Sequence, residues 1–177
     1  YGTLNVTVNW GDGNEEPYTT TGNKDHTYAI EGTYTVTISG ILTKYGNGLN
    51  GYSNVDKLTK VLSFGDLGLT HLSGAFYEAS NLTEVPAQIS STITSFYYTF
   101  YGATSFNFNI SQWNVSNVTN MRKMFYEASI FNQDIGNWDV SKVIDMTYMF
   151  GHSTSFNQYI GDWDVSNVTS MEGMFLE

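Results

Sequence analysis

From about residue 69 onward the chain repeats with a period of about 25 residues, and no other feature constrains the fold as strongly. Segment 124–146 recurs closely as segment 149–171. One aromatic position recurs in steps of 24, 25, 25 and 25, at Phe76, Phe100, Phe125, Phe150 and Phe175. A fixed period of this length is typical of proteins built from stacked units, because one unit alone cannot bury its apolar face.

Within one unit, the spacing of the apolar residues predicts a short helix followed by an extended stretch. Four of them fall at steps of 3, 3 and 4, the spacing of one helical face: Val115, Val118, Met121 and Phe125. Segment 131–138 predicts the extended stretch, with a bend at Gly136 before Trp138. The sequence therefore predicts an α+β solenoid of about four to five coils over residues 58–177, each with a short strand and a short helix.

Residues that recur at the same position of each unit are expected to form the core. Burial of one Phe or Met side chain stabilises a fold by roughly 1.5–3 kcal/mol relative to exposure. The predicted core consists of Phe76, Phe100, Met121, Phe125, Phe131, Trp138, Met146, Phe150, Phe156 and Trp163. We expect the recurring Asn107, Asn132 and Asn157 to bond to the backbone of the turns.

Residues 1–40 predict β structure instead. The segment 4–10 alternates apolar and polar residues, segment 11–14 is a turn rich in glycine, and a polar loop follows. A second strand is predicted with Tyr34, Val36 and Ile38 on one face. Residues 41–57 lack a period and are expected to form a connecting loop.

The stretches VNWGDG, HTY and GTYTVTISG resemble the PKD type of β-sandwich domain found in extracellular proteins. The resemblance covers only part of such a domain and implies a sandwich-like cap over the first coil. It also implies structural roles for Asp12, His26 and Tyr28.

The pattern MF-x-x-A-x-x-F-N-Q-D-I-x-x-W-D-V-S-x-V-T-x-M, clearest over residues 105–177, resembles the repeat of the BspA-like bacterial surface proteins. The resemblance extends over residues 58–177. It implies a leucine-rich-repeat-like solenoid, on a secreted or surface-anchored protein associated with adhesion. Because the chain stops partway through a unit, we expect the solenoid to be truncated at its C-terminus.

The charge balance limits the partners. The chain has a formal net charge of −10, with 7 Lys and Arg against 17 Asp and Glu, so nucleic acid and anionic membranes are not expected partners. The absence of cysteine excludes disulfides, cysteine-bound zinc and thiol chemistry. No apolar run approaches the roughly 20 residues of a spanning helix, so no membrane insertion is expected.

No catalytic pattern is found in the sequence. His26, His71 and His152 share neither a repeat position nor a ligand spacing, and Asp139 and Asp164 are predicted to be turn or helix N-cap residues before each apolar stripe. No cofactor is expected. Calcium binding is an alternative that the sequence does not decide, at the loop 11–15 or between coils. The loop lacks the ligand spacing of an EF-hand.

These observations predict a non-catalytic adhesion or interaction module, secreted or at the cell surface, that binds a protein or a glycan. The alternative is a structural spacer or filament component that self-associates through the solenoid ends. We expect a partner-binding strip at surface positions that vary between units: Asp134, Asn137, Tyr159 and Asp162. Tyr77, Tyr101 and Tyr126 follow a core Phe and should point outward, as a contact surface or as a solvated one. The recurring Trp113, Trp138 and Trp163 have two interpretations, packing between coils or a platform on which a sugar or a partner stacks.

Overall fold

The computed structural model of the protein describes residues 4–46 and 54–177. In these ranges the regular elements are three strands and one short 3-10 helix. The strands are β1 (Leu4–Asn9), β2 (Glu15–Tyr18) and β3 (Thr37–Leu42), and the 3-10 helix is Val55–Lys57. The strands form one antiparallel sheet in the order β2-β1-β3.

The central strand β1 follows the alternation in its sequence: Val6 and Val8 are buried, whereas Asn5 and Asn9 are exposed. β2 is a strand that the sequence did not predict, since a polar loop was expected from Pro17 onward; a proline is compatible with an edge strand. The predicted second strand is shorter than expected, since only residues 37–42 pair with β1.

The predicted fold class is wrong. The described residues contain no α-helix, the structure is nearly all β, and its sheet is a small antiparallel one of three strands rather than a leucine-rich-repeat-like solenoid of strands and helices. The sandwich-like N-terminal cap is wrong for the same reason: one sheet is present in the described part of the chain, not two packed sheets.

The hydrogen bonds of the backbone explain why the helical spacing does not produce helices. The amides of Phe96, Tyr98, Phe100 and Gly102 donate to carbonyl oxygens in the next unit, those of Asn120, Arg122, Met124 and Tyr126, at 2.8–3.0 Å. An α-helix would need these amides to donate four residues back. The amides of Thr99 and Ala103 donate three residues back, to Phe96 O and Phe100 O, and so close tight turns. The apolar side chains therefore recur at steps of 3 and 4 because tight turns of the backbone, and not a helix, bring them to the same side.

Successive units also meet at single parallel bridges rather than strands. The bridges connect His71 with Ser95, Ser95 with Asn120, Asn120 with Asp145, and Asp145 with Ser170. The predicted extended segment 131–138 contains turns and no strand. Each interface between units thus depends on hydrogen bonds and side-chain packing outside a regular sheet.

The core lies inside the stack of units. Phenylalanine rings of successive units follow one another at 5.3–5.7 Å between centroids, from Phe76 to Phe175. Of the residues expected in the core, Phe156 is partly buried and the others are buried. This continuous aromatic row fixes the order of the units and positions the surface on either side of it.

The N-terminal sheet is joined to the first unit through the end of β3. The amide of Leu42 donates to Leu67 O at 2.8 Å, and Leu42 and Tyr45 pack against the core. Of the predicted loop 41–57, residues 41–42 belong to β3, residues 55–57 form the 3-10 helix, and residues 47–53 lie outside the described residues. Within the described ranges, no helix has the length and apolar character needed to cross a membrane.

Candidate interaction surface

One face of the stack carries a cluster of tyrosines around a lysine. We call this cluster the tyrosine face, and it consists of Tyr77, Tyr98, Tyr101, Tyr126, Tyr148 and Lys123. Its members come from two positions of the unit, the residue directly after the core Phe and the residue two before it. The core Phe points inward, and most members of both positions are partly exposed on the outside of the stack, whereas Tyr98 is buried beneath them at 9% exposure.

The tyrosines that follow the core Phe stack on one another from unit to unit. The rings of Tyr77 and Tyr101 lie 4.7 Å apart and 7° from parallel, and those of Tyr101 and Tyr126 lie 4.9 Å apart and 12° from parallel. Tyr98 stacks beside them, 5.4 Å from Tyr101. Ring pairs at such distances stabilise a fold beyond the area they bury. Mutual stacking covers much of each ring face, and Tyr77, Tyr101 and Tyr126 remain partly exposed whereas Tyr98 is buried.

Lys123 places its ammonium group against four of these rings. Its Nζ lies 4.8 Å from the centroid of Tyr126, 5.3 Å from Tyr98, 5.4 Å from Tyr148 and 5.9 Å from Tyr101. A cation within about 6 Å of an aromatic centroid is attracted by the negative potential of the ring face. The tyrosine face therefore already binds one cation, which the chain itself supplies.

Exposed carboxylates border the tyrosine face. Burial and the nearby Glu127 raise the pKa of Tyr101 to about 12, and burial together with Glu78 raises the pKa of Tyr77. The hydroxyl of Tyr148 donates to Glu172 Oε1 at 3.1 Å, and this bond is the main cause of the raised pKa of that tyrosine. These shifts have one sign because burial and negative charge both oppose phenolate formation.

The backbone under the tyrosine face is in a conformation that favours glycine. Tyr98, Lys123 and Tyr148 have φ of 58°, 52° and 54°. The same position in the flanking units is glycine, Gly74 at 66° and Gly173 at 58°. A left-handed backbone costs a residue with a side chain roughly 1–2 kcal/mol. Two tyrosines and a lysine thus occupy, in the middle of the stack, a position where glycine would be less strained.

The four residues of the predicted partner-binding strip lie elsewhere, and all are exposed. The hydroxyl of Tyr159 donates to Asp162 Oδ1 at 3.0 Å. Asp134 Oδ1 accepts the amide of Gly136 at 3.0 Å, and an added Cβ at Gly136 would lie 2.5 Å from Tyr159 O. The structure therefore brings Asp134, Tyr159 and Asp162 close together, and Asn137 is exposed on the same loop as Asp134.

The tryptophan column packs inside the stack. Each indole N–H donates to a carbonyl oxygen of the preceding unit: Trp113 to Pro86 at 2.8 Å, Trp138 to Ile110 at 3.3 Å and Trp163 to Ile135 at 3.2 Å. All three side chains are buried. A buried indole offers no open ring to a sugar, so these residues join units together.

Asp139 and Asp164 act as turn residues. Asp139 Oδ1 accepts the amide of Ser141 at 3.1 Å and its hydroxyl at 2.6 Å, and Asp164 Oδ1 accepts the amide of Ser166 at 3.0 Å. Hydrogen bonds from these serines lower the pKa of both carboxyl groups. No helix follows them, so the bonds form Asx turns rather than helix N-caps. Among the described residues, no group of three or more metal-ligating side chains is placed to hold an ion.

The residues singled out near the N-terminus meet in one cluster. His26 Nε2 lies 2.8 Å from Asp12 Oδ2, and its ring stacks on Trp10 at 4.8 Å. The hydroxyl of Tyr28 donates to Trp10 O at 3.0 Å. These contacts connect the β1–β2 turn to the segment before β3, which is a structural role.

Lys123 is the member of the tyrosine face that the sequence reasoning missed. A signal for it exists: the position two before the core Phe reads Gly74, Tyr98, Lys123, Tyr148 and Gly173 along the repeats. Large side chains at a position that is glycine in other units mark a surface where the side chain matters.

The comparisons with known proteins address the family. Neither the curated proteins nor the solved structures include a match to this chain. A family model described as "Mycoplasma protein of unknown function, DUF285" matches residues 70–177, more than half of the chain. This match overturns the resemblance to BspA-like leucine-rich repeats, and the PKD-like resemblance before it finds no support. The chain belongs to the DUF285 family.

Proposed function

We propose that this protein is a non-catalytic interaction module that binds a partner protein through its tyrosine face. The observation that carries the proposal is the backbone strain under that face. The buried Tyr98 and the partly buried Lys123 and Tyr148 keep side chains at left-handed positions where the flanking units have glycine, and their contacts with the other rings hold the tyrosine face in place. Strain of this kind persists where the side chain has a use that offsets its cost.

The composition of the tyrosine face also supports protein binding. Tyrosine provides a large, rigid contact area at low cost in side-chain entropy, and it is enriched at protein interfaces. The rings of Tyr77, Tyr101 and Tyr126 are already held by stacking, so little freedom is lost when a partner covers them.

The same stacking favours a protein over a glycan. A sugar ring packs on an open aromatic face, and neighbouring rings here cover one another at 4.7–4.9 Å. A protein can instead use the hydroxyls, the ring edges and the charged border of the tyrosine face. The buried tryptophans offer no second platform.

We further propose a location outside the cell or at its surface. Apolar packing and hydrogen bonds hold the units together and the chain contains no cysteine, so its stability does not depend on the redox state and is compatible with an oxidising compartment. Protease treatment of intact cells, followed by detection of the chain, tests the location. Complete protection on intact cells, with digestion after lysis, would contradict it.

Binding arrays of proteins and of glycans test the proposed activity. Three chains are compared: the wild type, the double variant Tyr101→Ala/Tyr126→Ala, and the double variant Asp134→Lys/Asp162→Lys in the predicted strip. Thermal unfolding of each variant first shows that it is folded. We expect protein hits that the strip variant retains and the tyrosine variant loses by about tenfold or more.

Two results would contradict the proposal. If the tyrosine variant still binds the proteins on the array and the strip variant does not, the binding surface is the predicted strip. If only glycans bind and no protein does, the partner is a glycan and not a protein. Both arrays are run with and without calcium, which also tests the calcium possibility left open by the sequence.

A further inference from the structure

The charges around the tyrosine face indicate the chemistry of its partner. Three exposed carboxylates border it, Glu78, Glu127 and Glu172, and Asp145 lies near Tyr97, whose ring is 4.4 Å from that of Tyr98. Two cations stand among them, and both are already engaged: Arg122 Nη1 lies 4.0 Å from Asp145 Oδ2, and Lys123 lies against the tyrosine rings. The free charge that a partner meets there is negative, as is the chain as a whole, at −10.

The position of Lys123 shows which kind of group the rings accept. Its ammonium lies within 4.8–5.9 Å of four ring centroids. A ring face that no neighbouring tyrosine covers attracts a cation in the same way. We propose that the tyrosine face binds a basic protein segment whose arginine or lysine side chains contact the rings beside Lys123 and pair with Glu78 and Glu127.

This inference rests on the proposed function and adds the charge of the partner. Arginine suits the site well, since its planar guanidinium donates two parallel hydrogen bonds to a carboxylate and stays charged beside the negative potential of the rings. An acidic partner would meet Glu78, Glu127 and Glu172 and would find Arg122 and Lys123 already engaged. Complementary charge also accelerates the encounter of the two proteins and makes it sensitive to salt.

Lys123 competes for the positions that an incoming cation would take, and this gives a test with a distinctive sign. Lys123→Met keeps the length of the side chain and the left-handed strain of the backbone but removes the resident charge. The matched control is Lys142→Met, which removes an exposed lysine bonded to Asn117 Oδ1 at 2.7 Å, outside the tyrosine face. A structural defect would weaken binding, whereas the proposal requires it to strengthen.

The probe is a ten-residue peptide of alternating arginine and glycine, and its affinity is measured by titration calorimetry at low and at physiological salt. Lys123→Met is expected to bind it about tenfold more tightly than the wild type. Lys142→Met is expected to change the affinity less than about twofold. Glu127→Gln should weaken binding about threefold, and its charge-matched control Asp134→Asn less than about twofold.

Equal gains from Lys123→Met and Lys142→Met would overturn the proposal, because net charge alone would then explain binding. Failure of the arginine probe to bind, or tighter binding of a glutamate–glycine peptide, would overturn it as well. The protein array separates this failure from failure of the proposed function. If the proteins that bind require Tyr101 and Tyr126 but are not basic, the proposed function is supported and only the proposal of a basic partner is wrong.

Discussion

The indole nitrogen of Trp138 donates to the carbonyl oxygen of Ile110, 28 residues earlier in the chain, at 3.3 Å. The same bond recurs one unit later between Trp163 and Ile135 at 3.2 Å. These bonds pass through the buried interior, so each tryptophan joins its own unit to the preceding one. The stability of the stack therefore depends on contacts far apart in sequence.

Trp138→Phe should destabilise the fold by about 1–3 kcal/mol, because it removes the bond to Ile110 and leaves unfilled space in the core. Urea denaturation followed by circular dichroism measures the loss. Trp163→Phe is the matched control, and it should cost less because Trp163 is 8% exposed against 4% for Trp138. A larger loss of stability in Trp163→Phe than in Trp138→Phe would show that burial does not determine the cost of these substitutions.

Gly102→Ala should destabilise the fold by about 1–2 kcal/mol. Gly102 has φ of 65°, and a Cβ there would also lie 3.3 Å from Glu78 Cγ. Glu127 occupies the equivalent position one unit later at 58°, so Glu127→Gly should be neutral or stabilising by up to about 1 kcal/mol. Urea midpoints test both variants, and a stabilising Gly102→Ala would contradict the left-handed assignment.

The stability of the protein should fall between about pH 10 and pH 12 in a way that depends on Tyr101. Its pKa in the folded state is raised to about 12, chiefly by burial, whereas an unfolded tyrosine titrates near 10. The folded state therefore holds the proton more tightly, and this contribution is complete below pH 10 and lost as the pH rises to 12. Tyr101→Phe should flatten the decline measured by denaturation at successive pH values. An unchanged decline in this variant would assign the effect to other groups.

On the acid side, the contact between Asp12 and His26 should be lost between about pH 4 and pH 2. The hydrogen bond from His26, and the amide of Asn14, lower the pKa of Asp12 to about 2 from the usual value of 3.8. Since the folded pKa is the lower one, the contribution is present above pH 4 and disappears as the carboxyl group is protonated. The NMR signal of the Trp10 indole, whose ring stacks on His26, should report the change. Asp12→Asn should remove that transition, and a transition that survives in this variant would contradict its assignment to Asp12.

The period of the sequence indicated which side chains lie inside, but not the path of the backbone. Phe100 and Phe125 recur at one position, and their rings lie 5.6 Å apart. The same spacing of 3 and 4 was interpreted as a helix, which is wrong. Apolar spacing records which side a residue faces, whereas the partner of an amide depends on the neighbouring unit, as with Tyr98 and Arg122.

The candidate surface was predicted in part. The outward direction of Tyr77, Tyr101 and Tyr126 follows from their place after a core Phe, and the structure shows them partly exposed. Their stacking around Lys123 could not be derived, because it depends on the left-handed backbone at residue 123. The strip of Asp134, Asn137, Tyr159 and Asp162 stays a prediction, since variable exposed positions alone do not show a contact.

Hydrogen–deuterium exchange of the chain, with and without the partner protein recovered from the array, tests the binding surface most directly. If the tyrosine face is that surface, the partner should slow exchange at amides in segments 97–102, 122–127 and 147–152 and leave segments 133–138 and 158–163 unchanged. Slowed exchange at the second set, with none at the first, would contradict the assignment of binding to the tyrosine face.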